Sequence, residues 1–486
     1  MSTSCKVGSF NARAGTGVQA VTGVGFQPKG LIIWSQMNSI GSPFDVYRYS
    51  CFGFSDGIFQ VGGSASENRN NTPSDVNNSV SQVNIIFGVS FNNSQEMVAG
   101  LTSFDVDGFT LTWGVNSFAA APFFYIAFGG TSVSCKAAAF ASSAGVQAIT
   151  GVGFKPTVLF GMIGMNGGVN QSAESFGWSD GINDGSILIN SRNASNPGHT
   201  ISLQRDAIYT YTDFADDSID NVGKIQSFDA DGFTINWLTH VSSIGGWYLA
   251  LNGFACKVGK FNQPLITGVQ AIDTLIPSPR ATLLMGVNKV GSLLVQPGAA
   301  LFKSGIGLAN QVCMYTASYN GNAVSESARN QRTDVAVVQA TIPVPPALAV
   351  LNSLASGTLP GTTINLNWTT IDAIAREILY IYLADTISAP DVIDAGQDKN
   401  ALLSTGTDLL ATCVQILPAT FLWTKGDGPG DCVFSSPTAL ATHVDFTKNG
   451  KYILKITATS GTLISHSYIV ITVLDQLALP TTDPVL

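Results

Sequence analysis

The sequence predicts an all-β protein made of tandem β-sandwich repeats of jelly-roll type, followed by a further β-sandwich. Three observations predict it. An apolar, glycine-punctuated phrase occurs three times: Gly17 to Pro28, Gly145 to Pro156, and an altered copy from Gly268 to Pro277. Each copy follows a Cys-Lys pair (Cys5-Lys6, Cys135-Lys136, Cys256-Lys257) at a near-constant offset. Between these landmarks run short alternating segments joined by Ser-Asp-Gly and Asp-Gly turns, the local chemistry of hairpins. Solenoids repeat every 20–50 residues or so, whereas this phrase returns at the scale of a whole domain, so it marks duplicated domains.

The first repeat, residues 1–131, opens with a strand over Cys5–Phe10. The phrase follows, and Gln27, placed before a proline, is biased to extended geometry that leads into a buried strand, Gly30–Trp34. Cys51–Phe59 holds two apolar flanks around Ser55-Asp56-Gly57. The polar stretch Ser64–Asn78 is expected as a surface loop. Val83–Val89 resumes the sheet, Ser103–Trp113 reads as an Asp-Gly hairpin, and Phe123–Gly130 closes the domain. The second repeat, 132–254, has the same landmarks in Phe176–Gly181, Ser227–Trp237 and Trp247–Gly253, with Ile189–Gln204 as its polar loop. Closing strands run almost directly into the next Cys-Lys strand, which favours a rigid tandem.

The third repeat, 255–343, is expected to be shortened. It retains Ala281–Met285, and Leu301–Gly305 is a relic of the Ser-Asp-Gly turn, but the Asp-Gly hairpin is missing. The proline-dense Thr341–Pro346 marks a boundary. Residues 344–389 then read as a connecting β segment, with strands at Thr363–Trp368 and Ile378–Leu383 that resemble half of a fibronectin type III module. Residues 390–486 form the last domain. There Ile393–Gly396, Phe421–Lys425, Gly428–Gly430, Val444–Phe446, Asn449–Ala458 and Tyr468–Val473 occur in the order of a PKD-type immunoglobulin-like domain, which this segment resembles. That resemblance implies a β-sandwich with Trp423 at its centre and Gly450-x-Tyr452 opening a late strand, used for spacing or display. Cys413 and Cys432 depart from the pattern; their pairing would need an oxidising environment.

Composition narrows the function. Charged residues are 11% of the 486, against about 25% in an ordinary soluble domain, and mean hydropathy is +0.25. No apolar stretch is long enough for a membrane helix, and the N-terminus has no basic or apolar signal region. A surface so poor in charge suits a subunit covered by neighbours, hence an expected homo-oligomer or a demanding partner. A net charge of −9 with no basic stripe excludes nucleic acid. The seven cysteines form no CxxC pair or Cys/His cluster and read as reduced thiols, so no zinc is expected.

Motifs with chemical potential have simpler readings. Gly53-x-Ser55-x-Gly57 and Gly177-x-Ser179-x-Gly181 match a nucleophile elbow in letters, but strands flank both sides and no histidine recurs at a shared position. Asp105-x-Asp107-Gly108 and Asp229-x-Asp231-Gly232 resemble the start of a calcium loop without its downstream carboxylate. The phrase glycines precede no helix and cradle no phosphate. No catalytic residue, cofactor or metal is therefore assigned. Trp34, Trp178 and Trp247 are candidate glycan-stacking residues, although a tryptophan inside an apolar strand is more often core, and the two polar loops are candidate contact surfaces.

Taken as a set, the Gly-Phe-x-Pro entry, the Ser-Asp-Gly turn, the Ser-Phe-Asp-x-Asp-Gly-Phe-Thr hairpin and the Tyr-x-Ala closing strand resemble repeats in virion proteins of tailed bacteriophages. The resemblance implies a non-enzymatic particle-surface protein (capsid decoration, head fibre or tail-attached fibre), made in the host cytoplasm and contacting other virion proteins. The alternative is an adhesin that recognises host-surface glycans through the variable loops.

Overall fold

The computed structural model describes residues 3–37, 45–46, 48–68, 76–164, 171–192, 199–213, 218–287, 296–297, 299–318, 327–341, 350–385, 393–413, 420–460 and 463–475. Among them there is no helix; the chain is a succession of antiparallel sheets, with a single parallel pair. It divides into two units, Met1–Thr386 and Ile387–Leu486.

Within the first unit each repeat forms the same two layers. A large sheet contains the Cys-Lys strand, the closing strand, the strand after the phrase, and the two arms around the Ser-Asp-Gly turn. In the first repeat these are Ser4–Asn11, Pro122–Gly129, Pro28–Ser35, Arg48–Ser55 and Gln60–Glu67, with Val76–Ser81 beyond them. A four-stranded sheet packs on its outer side and begins with the phrase itself, Gly17–Thr22. One device fixes that edge strand in every copy. The indole of the hairpin tryptophan donates to the phrase glutamine: Trp113 to Gln19 (2.8 Å), Trp237 to Gln147 (2.9 Å) and Trp368 to Gln270 (3.1 Å). Each tryptophan is buried just before a β-bulge in its own strand, at Gly114, Leu238 and Thr369.

The third bond corrects the sequence reading. The third repeat is not shortened. Thr363–Thr370 pairs with the phrase strand Gly268–Asp273, and Glu377–Asp385 lies between Phe254–Asn262 and Pro279–Val287 as their closing strand. The supposed connecting segment 344–389 thus supplies the hairpin and closing strand of repeat three. The hairpin escaped notice because Pro360-Gly361 turns it in place of Asp-Gly. The turn equivalent to Ser-Asp-Gly spans Gly307–Asn310, just beyond the predicted Leu301–Gly305, which is strand.

The polar loops are likewise mostly strand. Ser64–Glu67 and Val76–Asn78 lie in Gln60–Glu67 and Val76–Ser81, while Ile189–Arg192 and Thr200–Gln204 lie in Asp184–Arg192 and Thr200–Arg205. Residues 69–75 and 193–198 fall outside the described residues. Composition misled here because polar side chains point inward and bond to other repeats.

The three large sheets face one another across a shared core. Ile32, Phe52 and Phe128 of repeat one meet Phe160, Phe176 and Leu249 of repeat two and Leu283, Met314 and Ile381 of repeat three in one cluster. Each repeat also keeps a private core between its own two sheets. Contacts between repeats run in a cycle. Asp56 in the turn of repeat one accepts the Ala137 amide of repeat two (3.0 Å), and Asp180 of repeat two accepts the Val258 amide of repeat three (2.7 Å). Asn310 of repeat three donates to the Val7 carbonyl of repeat one (3.3 Å). Short strands cross over too: Asp45–Val46 extends the third large sheet and Gln296–Pro297 the second. The repeats therefore form a closed ring with pseudo-threefold symmetry, not an open tandem.

The second unit is a β-sandwich. Lys399–Leu402 runs parallel to Leu463–Leu474, followed by Gly450–Ser460 and Thr420–Asp427, over a second sheet containing Thr407–Leu410, Ala441–Phe446 and Cys432–Phe434. Trp423 sits in its core as predicted, donating to the Ala439 carbonyl (3.1 Å), and Tyr452 donates to the Lys448 carbonyl (3.0 Å). All seven cysteines are free thiols.

Candidate functional site

The candidate catalytic motifs resolve into turn chemistry. Ser55 donates to the Phe59 carbonyl (2.8 Å) and accepts the Gly57 amide (2.9 Å); Ser179 accepts the Gly181 amide (2.9 Å). Asp56 accepts the amides of Ile58 and Phe59, so turn and neighbouring repeat use both of its oxygens. Strand flanks each turn on both sides, with no helix to complete an elbow.

The Asp-x-Asp-Gly hairpins are clips. Asp105 accepts the hydroxyls of Ser103 and Thr110 (both 2.7 Å), and Asp107 accepts the amides of Gly23 (3.0 Å) and Gly25 (2.5 Å). Asp229 and Asp231 repeat the arrangement on Ser227, Thr234, Gly151 and Gly153. The hydroxyl donors Ser227 and Thr234 hold the Asp229 carboxyl below its usual range. Gly23 and Gly25 have φ of 81° and 90°, so the phrase glycines serve a left-handed bend that presents both amides to one carboxylate. The altered third phrase compensates: Asp273 within it accepts the Leu275 amide (2.9 Å).

Trp34, Trp178 and Trp247 all lie in the shared core at 2%, 1% and 3% exposure. They present no ring face to a sugar, which corrects their reading as candidate glycan contacts. The residue type was compatible with stacking, but the strands that carry them face the ring interior.

A Ser–His contact escaped sequence inspection because no motif announces it. Ser142 Oγ lies 3.1 Å from His240 Nε2. That hydroxyl also accepts the Ile244 amide (3.0 Å) and Asn221 Nδ2 (3.4 Å), inside a buried loop clip. Among the described residues no group of three His, Cys, Asp or Glu could hold a metal ion.

The most charged interior lies where the three large sheets meet. Phe52, Phe176 and Lys303 occupy equivalent positions, opposite Trp34, Met162 and Met285. The Phe52 and Phe176 rings are 4.1 Å apart between centroids, and Lys303 Nζ lies 4.9 and 5.5 Å from them. Lys303 is ion-paired to Glu174, both being nearly inaccessible. Burial pushes the Glu174 carboxyl up, but the ammonium of Lys303 outweighs it and leaves the group below its ordinary value. Farther along, Glu67, Ser191 and Ser318 are again equivalent, opposite residues 48, 172 and 299. Glu67 Oε2 accepts the hydroxyls of Ser191 (3.0 Å) and Ser318 (2.5 Å) and faces Arg48 Nη1 at 3.5 Å. Burial raises the Glu67 carboxyl above its ordinary value, against the pull of Arg48 and the two hydroxyls.

One anchor between the layers differs among repeats. Gln60 accepts the Leu101 amide (2.7 Å), and Gln311 accepts that of Gly357 (2.7 Å). Asp184 stands in the same place and accepts the Ile225 amide (3.0 Å), with Oδ1 unpartnered among the described residues. Burial raises its pKa to about 6. A carboxyl that binds its proton more tightly when folded stabilises the fold below pH ~4 and loses that contribution as pH rises through 6. Asp184→Gln is therefore expected to raise stability at pH 7.5 by on the order of 2 kcal/mol, with the gain shrinking toward pH 4. Thermal melts across that range check it; a gain independent of pH would assign the effect to packing.

The fold and these sites define an all-β, pseudo-threefold body whose polar interior is used for cohesion. Compared with known proteins, the chain matches no family model and no curated protein sequence.

Proposed function

We propose that the chain is a non-enzymatic structural protein of a tailed-phage particle surface, docking through its three-repeat unit and displaying the C-terminal sandwich. The observation that supports this best is the closed ring. Its large sheets are spent on cohesion, and its outward layer consists of three near-equivalent four-stranded sheets. Each ends in an exposed edge strand bearing the phrase valine: Val18, Val146 and Val269 at 63%, 62% and 69% exposure. Alternate residues on these strands (Ala20, Ala148, Ala271) carry no charge, so a partner covering them desolvates few ions. The turn serines bond the backbone, and the hairpin aspartates bond backbone amides and neighbouring hydroxyls, so both motifs have a structural use.

Electron cryomicroscopy of particles with and without the gene tests the reading. Density for a three-lobed body that disappears in the deletion is expected. Identical particles would overturn it.

A further inference from the structure

The ring has three junctions between successive repeats, and the three are not alike. Where repeat one meets repeat two, Lys136 of the Cys-Lys strand faces the turn carboxylate of Asp56 at 4.0 Å. Where repeat two meets repeat three, the equivalent Lys257 donates to the Thr274 carbonyl (3.0 Å). Nearby, Lys260 closes the surface by bridging Asp206 (3.0 Å) and Glu377 (3.5 Å).

Where repeat three meets repeat one, the turn has no carboxylate. Gly307 occupies the position of Asp56 and Asp180: its amide bonds to the Asn310 carbonyl (2.7 Å), as theirs bond to Phe59 and Asn183 (both 3.2 Å). Lys6, equivalent to Lys136 and Lys257, consequently has no ion-pair or hydrogen-bond partner among the described residues. Asn310 stands where repeat one has Phe59 and repeat two has Asn183. Beside this turn lies a cleft of about 280 Å³ lined by Lys6, Ser9, Thr22, Tyr125, Asn310 and Thr333, among others.

The other charges around it are matched. Asp107, below Gly23, is held by two glycine amides, and Arg332 and Asp334 on either side of Thr333 pair with each other. Burial keeps Tyr125 a neutral phenol. Gly8 gives its ring room at the cleft floor, since a Cβ there would fall 2.5 Å from the Tyr125 hydroxyl. Asn310 uses Nδ2 on Val7. The lining thus offers one unmatched cation surrounded by hydroxyls and an amide.

We infer that this cleft, between the Gly307–Asn310 turn and the strand Ser4–Asn11, binds a small hydroxylated carboxylate of the uronic-acid type. The ligand's carboxylate would take the place that Asp56 fills beside Lys136, and its hydroxyls would meet Ser9, Thr22 and Thr333. The volume falls just under the ~300–1,000 Å³ of pockets for drug-sized ligands, which suits one sugar ring. The site stands whether or not the chain resides on a particle.

Titration of the full chain with galacturonate, galactose and acetate, followed by calorimetry or NMR shifts, tests it. Saturable galacturonate binding is expected with a dissociation constant on the order of 1 mM, with galactose and acetate each much weaker. Lys6→Met removes a charge-assisted bond and is expected to weaken galacturonate about tenfold or more. Gly307→Asp restores the missing carboxylate and is expected to abolish binding while the protein stays folded. Its Cβ would meet the Val7 side chain at 3.2 Å and the Asn310 carbonyl at 3.6 Å, and Asp180 already sits against the equivalent Val258. No saturable galacturonate signal at tens of millimolar, galactose binding as tight as galacturonate, or unchanged binding in folded Gly307→Asp would each overturn the assignment.

Discussion

Lys303→Met is expected to destabilise the three-repeat unit by about 3–5 kcal/mol at neutral pH, because it leaves the buried Glu174 carboxylate without its cation. The sign of the pH dependence follows from the change at Glu174. In the native protein Lys303 holds that carboxyl below its ordinary value, so the pair's contribution is present at neutral pH and lost in acid. In the variant, burial is opposed only by the Ser50 hydroxyl and the charge of Arg48, so the carboxyl moves up. The penalty should then be largest above pH 7 and smallest near pH 4, where the group folds protonated. The double variant Lys303→Met/Glu174→Leu should recover most of the loss, since a buried ion pair exchanged for well-packed apolar groups is often neutral or better. Leucine is apt there because Leu301 holds the equivalent position in repeat three, opposite Thr316 as Glu174 lies opposite Ile189. Chemical unfolding of the three proteins at two pH values decides it. A single variant as stable as the native chain would mean that the pair contributes nothing.

The second expectation concerns cooperativity. Residues 1–131 expressed alone should not fold as a monomer, although they contain a complete pair of sheets. Alone, the large sheet would expose Ile32, Trp34, Phe52, Phe54, Phe124 and Phe128, all buried in the ring. At roughly 1.5–3 kcal/mol per large apolar side chain, that lost burial is comparable with the ~5–15 kcal/mol by which a whole domain is stable. The fragment should bind a hydrophobic dye and melt without a sigmoidal transition, whereas unit one of the full chain should unfold in one step. A monomeric fragment with a sharp melt would show that the private core suffices.

What was legible in the sequence, and what was not, divides along the ring. Short-range signals read correctly. Gly30–Trp34 is a buried strand, Asp-Gly makes hairpins, and Trp423 is core, because each depends on a few neighbouring residues and local geometry. Features that depend on another repeat were missed. Ser64–Glu67 reads as loop until Ser191 and Ser318 are known to bond Glu67 from two other sheets. For Trp34, Trp178 and Trp247 the sequence leaves core and sugar-stacking surface both open, and only the ring decides for core. The third hairpin was overlooked because its turn residues changed while its tryptophan–glutamine bond did not. The free lysine of the cleft was invisible for the same reason: its significance comes from a carboxylate that two sister turns have and the third lacks.

The ion pair at the centre carries a consequence for how such a molecule could arise. An assembly of three identical subunits triples every residue on its rotation axis, so a lysine there would confront two more lysines and a glutamate two more glutamates. Fusion into one polypeptide lifts that restriction, letting Phe52, Phe176 and Lys303 diverge from one another while their strands keep the same pairing. Opposite charges could then settle on neighbouring lobes, where they distinguish the native order of the lobes from any permuted one.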